Sequence, residues 1–282
     1  MLNRIAVLLT VYNRKESTIK CLRNLHQCEM PIDTELEVFL TNDGCTDGTP
    51  EAVRQEFPEV HIVEGDGTLY WNRGMIAAWK EAAKGGYNYY LWLNDDTFIY
   101  KDVIVRLLNC SEKHGNKAVI VGATCALGNK DEITYGGWRG SSVIRSVSKE
   151  EKCDTFNGNI VLVPNSVFEV MGTNDPRFRH AAGDTDYGLT ANEKGIEVWQ
   201  AEGLMGECDK HERPAVWMDP NQPFGKRWKN FYSPTGNNPF EYFYFRKKHY
   251  GLIPACVTFV SNHVHFLLPW LWPSSYKNYK QK

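Results

Sequence analysis

Several common sequence signatures are missing from this chain. Eight cysteines, at 21, 28, 45, 110, 125, 153, 208 and 256, form no Cys-x-x-Cys pair, which argues against a zinc ribbon or a thioredoxin-like site. Their neighbours are largely apolar, so they read as reduced, partly buried thiols of a cytoplasmic protein. No Walker A sequence occurs. The stretch Gly65-Asp66-Gly67-Thr68-Leu69-Tyr70 lacks the third glycine of a dinucleotide fingerprint. No repeat or low-complexity tract is visible. Ile5–Leu9 is too short for the apolar core of a secretory leader and reads as a first buried strand. The apolar stretch 252–272 carries Asn262, His263, His265, Pro254 and Pro269, a poor composition for crossing a bilayer.

Net charge is also small, −2 over 282 residues, and no nucleic-acid partner is expected. Its distribution is uneven. Residues 226–282 hold nine Lys/Arg against the single acid Glu241, a basic aromatic tail on an otherwise acidic chain. Such a tail suits an anionic membrane, with Trp270 and Trp272 at headgroup depth. Packing on the protein's own core, or on a second copy in a homodimer, fits the same residues equally well.

The first half alternates apolar runs with helical spacings. Strands are expected at Ile5–Thr10, Leu36–Leu40, Val60–Val63, Tyr89–Leu93 and Ala118–Gly122. Helices are expected at Lys15–Cys28, from an N-cap at Thr49 with Pro50 at the first position, and at Asn72–Lys84. This alternation predicts an α/β fold with a mostly parallel sheet flanked by helices. Later, Asn129–Ser148 reads as loop with a short hairpin, Ile160–Val163 as a strand, Asp184–Lys194 as a helix and Glu197–Trp199 as a short strand. Residues 213–238 read as a connector or lid loop, and 239–282 as a helical extension.

Four strands are each followed by a polar turn. Thr10-Val11-Tyr12-Asn13-Arg14 follows the first, Asn42-Asp43-Gly44 through Thr49 the second, Gly65 through Gly74 the third, and Asn94-Asp95-Asp96 the fourth. Open α/β sheets bind ligands at that edge. Adjacent carboxylates at a strand tip repel, and a Mg²⁺ or Mn²⁺ ion relieves the repulsion. Asp43 could accept the N3–H of a uracil or thymine, and Asp47 could be a simple Asx-turn. Asp184 and Asp186 sit at a helix start, where capping alone would explain them, or where one could deprotonate a hydroxyl.

Taken in order, Tyr12-Asn13-Arg14, Asn42-Asp43-Gly44-x-x-Asp47-Gly48-Thr49, Asn72-x-Gly74, Asn94-Asp95-Asp96 and Asp184-x-Asp186 resemble family 2 glycosyltransferases of the GT-A fold, over about residues 3–210. The resemblance implies an inverting, metal-dependent transferase that moves a sugar from a UDP- or dTDP-sugar to a saccharide hydroxyl. Together with the basic tail, it leads to the expectation of a lipid-linked saccharide acceptor at the inner face of an anionic membrane, in surface polysaccharide synthesis. It makes Asp184 the base with Asp186 in reserve, Asp96 a metal ligand and His211 a further one. It gives Thr10, Tyr12, Asn13, Arg14, Asn42, Asp43, Gly67, Asn72, Gly74, Asn94 and Asp95 to the donor. Two positions depart from the family pattern: Asn94 where it has Asp, and Gly183 where it has an acid. A sugar nucleotidyltransferase would want a glycine-rich loop after the first strand, which Thr10–Arg14 is not. A non-catalytic sugar-binding domain would not need so many of the acids.

Overall fold

A computed structural model describes residues 2–210, 215–236 and 238–271. They fall into two compact units, one of residues 1–176 with 183–210, the other of 177–182 with the chain after 210.

The first unit is built on a sheet of ten strands. Four central strands lie in the order β4 (Tyr89–Leu93), β1 (Asn3–Val11), β2 (Thr34–Asn42), β3 (His61–Glu64), all parallel. Beyond β4 come β12 (Ile160–Pro164), β6 (Val119–Ala126), β13 (Val198–Glu207) and β10 (Glu151–Cys153). The two-residue β5 (Phe98–Ile99) joins β13, and β7 (Asn129–Ile133) joins β6. β8 (Gly137–Arg139), β9 (Ser142–Val143) and β11 (Thr155–Phe156) make a small separate sheet. The mostly parallel α/β architecture expected from the sequence is present.

Side-chain alternation along the strands creates two cores. Ile5, Val7 and Leu9 of β1 and Leu91 and Leu93 of β4 face one layer, with Leu22 and Leu25 of α1 (Lys15–His26), Val53 of α2 (Thr49–Glu56) and Leu107 on the same side. Ala6, Leu8, Tyr90 and Trp92 face the other, against Met75 and Trp79 of α3 (Tyr70–Ala82). Trp79 and Trp92 meet edge to face, 5.5 Å between centroids. A strand buried on both faces needs an unbroken apolar run, as in Tyr89-Tyr90-Leu91-Trp92-Leu93. Leu107 belongs to α4 (Val103–Lys113).

α3 packs close on β1 because Gly74 has no side chain. A Cβ there would stand 2.1 Å from Thr10 Oγ1. Thr41 Oγ1 donates to the Gly74 carbonyl at 2.8 Å.

Several local expectations are corrected. α2 is capped not by Thr49 but from Gly48, at φ +81, with Asp47 Oδ1 accepting from Thr49 N–H at 3.0 Å. α3 begins at Tyr70, two residues early, because Asp43 gathers its first turn. The 129–148 stretch holds three strands rather than a loop with one short hairpin. β13 runs on to Glu207; its pattern is broken at Gly203 (φ +78), where Arg106 bonds the carbonyls of Glu202 and Leu204 (2.8 Å to the latter). Residues 213–238, expected as a connector or lid loop, contain a 3₁₀ turn at Val216–Met218 and α7 (Phe224–Phe231). α5 (Asn165–Met171) and α6 (Gly183–Glu193) complete the first unit.

In the second unit α8 (Pro239–Tyr250) packs on α9 (Leu252–Leu267), and Trp217, Phe231 and Phe266 form a small core. Arg227 is buried there and donates to the Trp217 carbonyl at 3.0 Å. Among the described residues no helix is long and apolar enough to cross a membrane.

Gly74→Ala tests the close approach of α3 to β1. Overpacking should cost about 1–3 kcal/mol. Urea unfolding should show the loss, with part of it recovered in the Gly74→Ala/Thr10→Ala double variant.

Candidate active site

The C-terminal ends of β1, β2 and β4 lie side by side, so their polar turns share one edge. Asp43 directly follows β2 and is 4% exposed. Its Oδ1 accepts from the N–H groups of Gly67 (2.9 Å) and Leu69 (3.1 Å), and its Oδ2 from Tyr70 (2.8 Å). Three of roughly four carboxylate lone-pair sites are thereby taken by one loop. This holds Tyr70 at φ +57, a costly conformation for a bulky residue. Gly67 (φ +83) faces Gly44, whose Cβ would come within 3.0 Å of the Gly67 Cα. Asn42 is also occupied: Oδ1 accepts from Cys45 N–H (2.9 Å) and Nδ2 donates to Glu64 (2.6 Å).

After β1, Asn13 turns at φ +51 and its Oδ1 accepts from Thr46 N–H at 2.7 Å, tying the first two turns together. Tyr12 is 58% exposed at this edge, with a free aromatic face. Thr10 and Gly74 pack on each other beneath the turns.

β4 ends in Asn94-Asp95-Asp96. Arg14 Nη1 donates to both acids, to Asp95 Oδ1 at 3.3 Å and to Asp96 Oδ2. Ser17 Oγ bonds the Asp95 carbonyl at 2.9 Å, and Cys208 Sγ lies 3.7 Å from Asp96 Oδ1. Burial, then the neighbouring Asp96, push the Asp95 carboxyl up to about 7, with Arg14 opposing. Burial and Asp96 likewise push the Cys208 thiol up to about 12. The charge of Arg14 is opposed by burial and more than restored by Asp95 and Asp96. A guanidinium thus bridges two carboxylates where a small cation would neutralise them. That position, and the hard oxygen donors around it, fit Mg²⁺ or Mn²⁺. His211 lies outside the described residues.

Asp184 reaches the same edge through the antiparallel strand β12. Asn94 N–H donates to the Asn159 carbonyl at 3.1 Å, one residue before β12. The preceding N–H, of Gly158, donates to Asp184 Oδ2 at 3.0 Å. Trp71 closes the circuit: its Nε1 donates to Asn94 Oδ1 at 2.7 Å, and its ring lies so near Gly158 that a Cβ there would stand 2.6 Å away. Asp184 Oδ1 accepts from Thr185 N–H at 2.7 Å. Burial raises the Asp184 carboxyl, and these backbone bonds hold it back. Asp186 is buried at 2% exposure.

Asn72 explains the missing acid at 183. It is fully buried, donates to the Asp175 carbonyl (3.0 Å) and accepts from Asn174 Nδ2 (2.7 Å). A Cβ on Gly183 would fall 2.0 Å from Asn72 Oδ1. No side chain fits at 183 while Asn72 keeps this place. Trp71, Gly158 and Cys208 were not singled out from the sequence. Trp71 had a usable signal, since it stands beside Asn72 in a polar turn.

Among the described residues, Cys110, His114 and Glu150 also bring ligand-type atoms within 4.8 Å of one another. Glu150 already pairs with Lys113 (3.0 Å) and His114 (3.1 Å), so this group is neutralised internally.

A model of the family described as "Glycosyl transferase family 2" matches residues 6–172. The chain belongs to glycosyl transferase family 2. No curated protein sequence matches this glycosyltransferase. It resembles solved structures at low identity. The mannosyltransferase PcManGT of Pyrobaculum calidifontis, solved with GDP-Man and Mn²⁺, is 16% identical at a TM-score of 0.56, over 99% of this chain and 83% of that one. TarS 1–349 of S. aureus with UDP is 13% identical at 0.57, over 99% and 91%. TarS 1–349 in a second structure is 12% identical at 0.54, over 93% and 80%. These likenesses establish a shared GT-A fold.

Asp95 gives a pH test in the presence of EDTA. Its ordinary value is 3.8 and its folded value about 7, so between these the native state keeps a proton that the unfolded chain has released. Ionising Asp95 therefore costs stability, increasingly as pH rises through that window. Asp95→Asn should melt like the parent near pH 4 and higher than it at pH 8. A gap that does not grow with pH would contradict the assignment.

Proposed function

We propose that this glycosyltransferase is an inverting, metal-dependent enzyme that transfers a sugar from a nucleotide diphosphate donor, UDP- or dTDP-linked, to a saccharide hydroxyl. The observation that carries this reading is the pair of hydrogen bonds from Asn94 to the Asn159 carbonyl and from Gly158 to Asp184, with Trp71 bonded to Asn94 and packed on Gly158, and Asp95 and Asp96 directly after Asn94. It brings the Asp184 carboxylate to the sheet edge that carries the acidic pair, which supports reading Asp184 as the base.

Asp96, with Asp95 beside it, would hold Mg²⁺ or Mn²⁺, and His211 is proposed as a further ligand. When bound, the ion would neutralise charge on the departing nucleoside diphosphate. Asp43 shapes the loop 65–70 that receives the nucleoside and keeps one lone-pair site for it. Tyr12 offers its exposed ring to the base. Thr10, Asn42, Asn72 and Gly74 act by holding these turns in place. Asp184 takes the proton of the acceptor hydroxyl as the hydroxyl attacks the anomeric carbon opposite the leaving diphosphate, so configuration inverts. Its raised carboxyl makes it the stronger base once ionised. Asp186, more deeply buried, is the reserve base.

Asp184→Ala should lower kcat by about 10²–10⁴-fold. Nucleotide affinity, measured by calorimetry with UDP and dTDP in Mn²⁺, should be nearly intact. Full turnover in that variant would remove Asp184 as base.

The acceptor is proposed to be lipid-linked and reached at an anionic membrane. Ile253, Val257, Val260, Val264 and Leu267 of α9 are exposed at helical spacing, followed by exposed Trp270. The surrounding tail carries eight basic residues besides the buried Arg227, which favours anionic lipid over a second copy of the chain. Vesicles containing phosphatidylserine should co-sediment the protein, and Ile253→Asp/Val260→Asp should release it. Binding that survives both changes, or a concentration-dependent dimer lost in the same variant, would overturn the membrane assignment.

A further inference from the structure

We infer that Arg14 is a built-in competitor for the metal position: its guanidinium rests on the Asp95–Asp96 pair and must leave Asp96 before a divalent ion can be held there. This rests on the reading that Asp96 is a metal ligand.

The geometry is specific. A single nitrogen, Arg14 Nη1, bonds one oxygen of each carboxylate. That is the place a shared cation would occupy, and two cations cannot share it without strong repulsion. The members also differ in freedom. The acid side chains are 8% and 16% exposed, whereas that of Arg14 is 44% exposed. Asp95 is further held by Ser17 Oγ on its carbonyl (2.9 Å), and Asp96 has Cys208 against its other oxygen. The Arg14 backbone is fixed as well, its carbonyl accepting from Thr18 N–H at 2.9 Å. The mobile element is therefore the Arg14 side chain alone.

Two consequences follow from chemistry. The pair of acids is neutralised without a metal, so the edge is stable before substrate arrives. Once displaced, the guanidinium remains at the same edge, with a planar fork of donors suited to phosphate oxygens. A nucleotide diphosphate would draw it off the acids, so donor and metal enter together. Arg14 is then a positioning residue for metal and diphosphate, not one that stacks on the base.

The cost of competition is readable. If Arg14 occupies the acids about 90% of the time, apparent metal affinity falls about tenfold. Mn²⁺ alone should be titrated into the full chain without nucleotide, following free Mn²⁺ by electron paramagnetic resonance. Arg14→Gln and Arg14→Met should each bind Mn²⁺ about tenfold more tightly than the parent. Lys15→Gln serves as the charge control. It removes a cation one residue away, whose Nζ lies near Gly48 instead, and should change affinity little. Asp96→Ala should lose the binding. Equal affinity in both Arg14 variants and the parent, or the same tightening in Lys15→Gln, overturns the competitor role while leaving Asp96 as ligand. Mn²⁺ binding that survives Asp96→Ala, or absent from every variant, overturns the metal assignment itself and this inference with it.

Discussion

Everything at the sheet edge depends on keeping the Asp95 and Asp96 carboxylates together at the end of β4. Like charges on adjacent residues in a half-buried setting are unfavourable unless a cation stands between them. In this structure Arg14 supplies that cation, and the consequence appears in Asp95, held up to about 7 even with the guanidinium beside it. The fold accommodates the strain by anchoring both neighbours: α1 starts directly after Arg14, and β12 runs antiparallel against β4.

That antiparallel strand is the second constraint. A purely parallel sheet would carry the residues before β12 to the opposite edge. Its reversal brings Gly158 and Asn159 beside Asn94, and through Gly158 it fixes Asp184, some ninety residues after the acidic pair. Trp71 fills the space between and bonds Asn94, so the asparagine that replaces the family's aspartate has a structural use: its side-chain oxygen accepts the indole N–H. Gly183 has a comparable explanation. The buried Asn72 occupies the volume that a side chain at 183 would need, which accounts for glycine where the family pattern has an acid before Asp184.

The second unit follows different rules. Its small core is aromatic, and a buried arginine, Arg227, satisfies backbone carbonyls rather than a carboxylate. Within it Glu241, the one acid of the basic tail, pairs with Arg179 at 2.6 Å. The acid therefore does little to offset the exposed cations, which is the electrostatic basis of the proposed membrane face.

The sequence by itself determined the α/β fold, because strands buried on both faces require continuous apolar runs and the runs at 5–9 and 89–93 admit little else. It also determined which turns are polar, and so which edge is chemical. Only the tertiary structure decided what each polar residue does there. Asp43 and Asn42 looked like nucleoside contacts, yet most of their bonding capacity goes to neighbouring turns. Arg14 was expected among the donor contacts, yet it bridges two acids. Gly158 carried no motif, and β13 extends well past the expected Glu197–Trp199 strand, to Glu207. The physical reason is common to all of these. Apolar periodicity is a local property of the chain, whereas the partner of a hydrogen bond or the neighbour of a missing Cβ is set by residues far away in sequence.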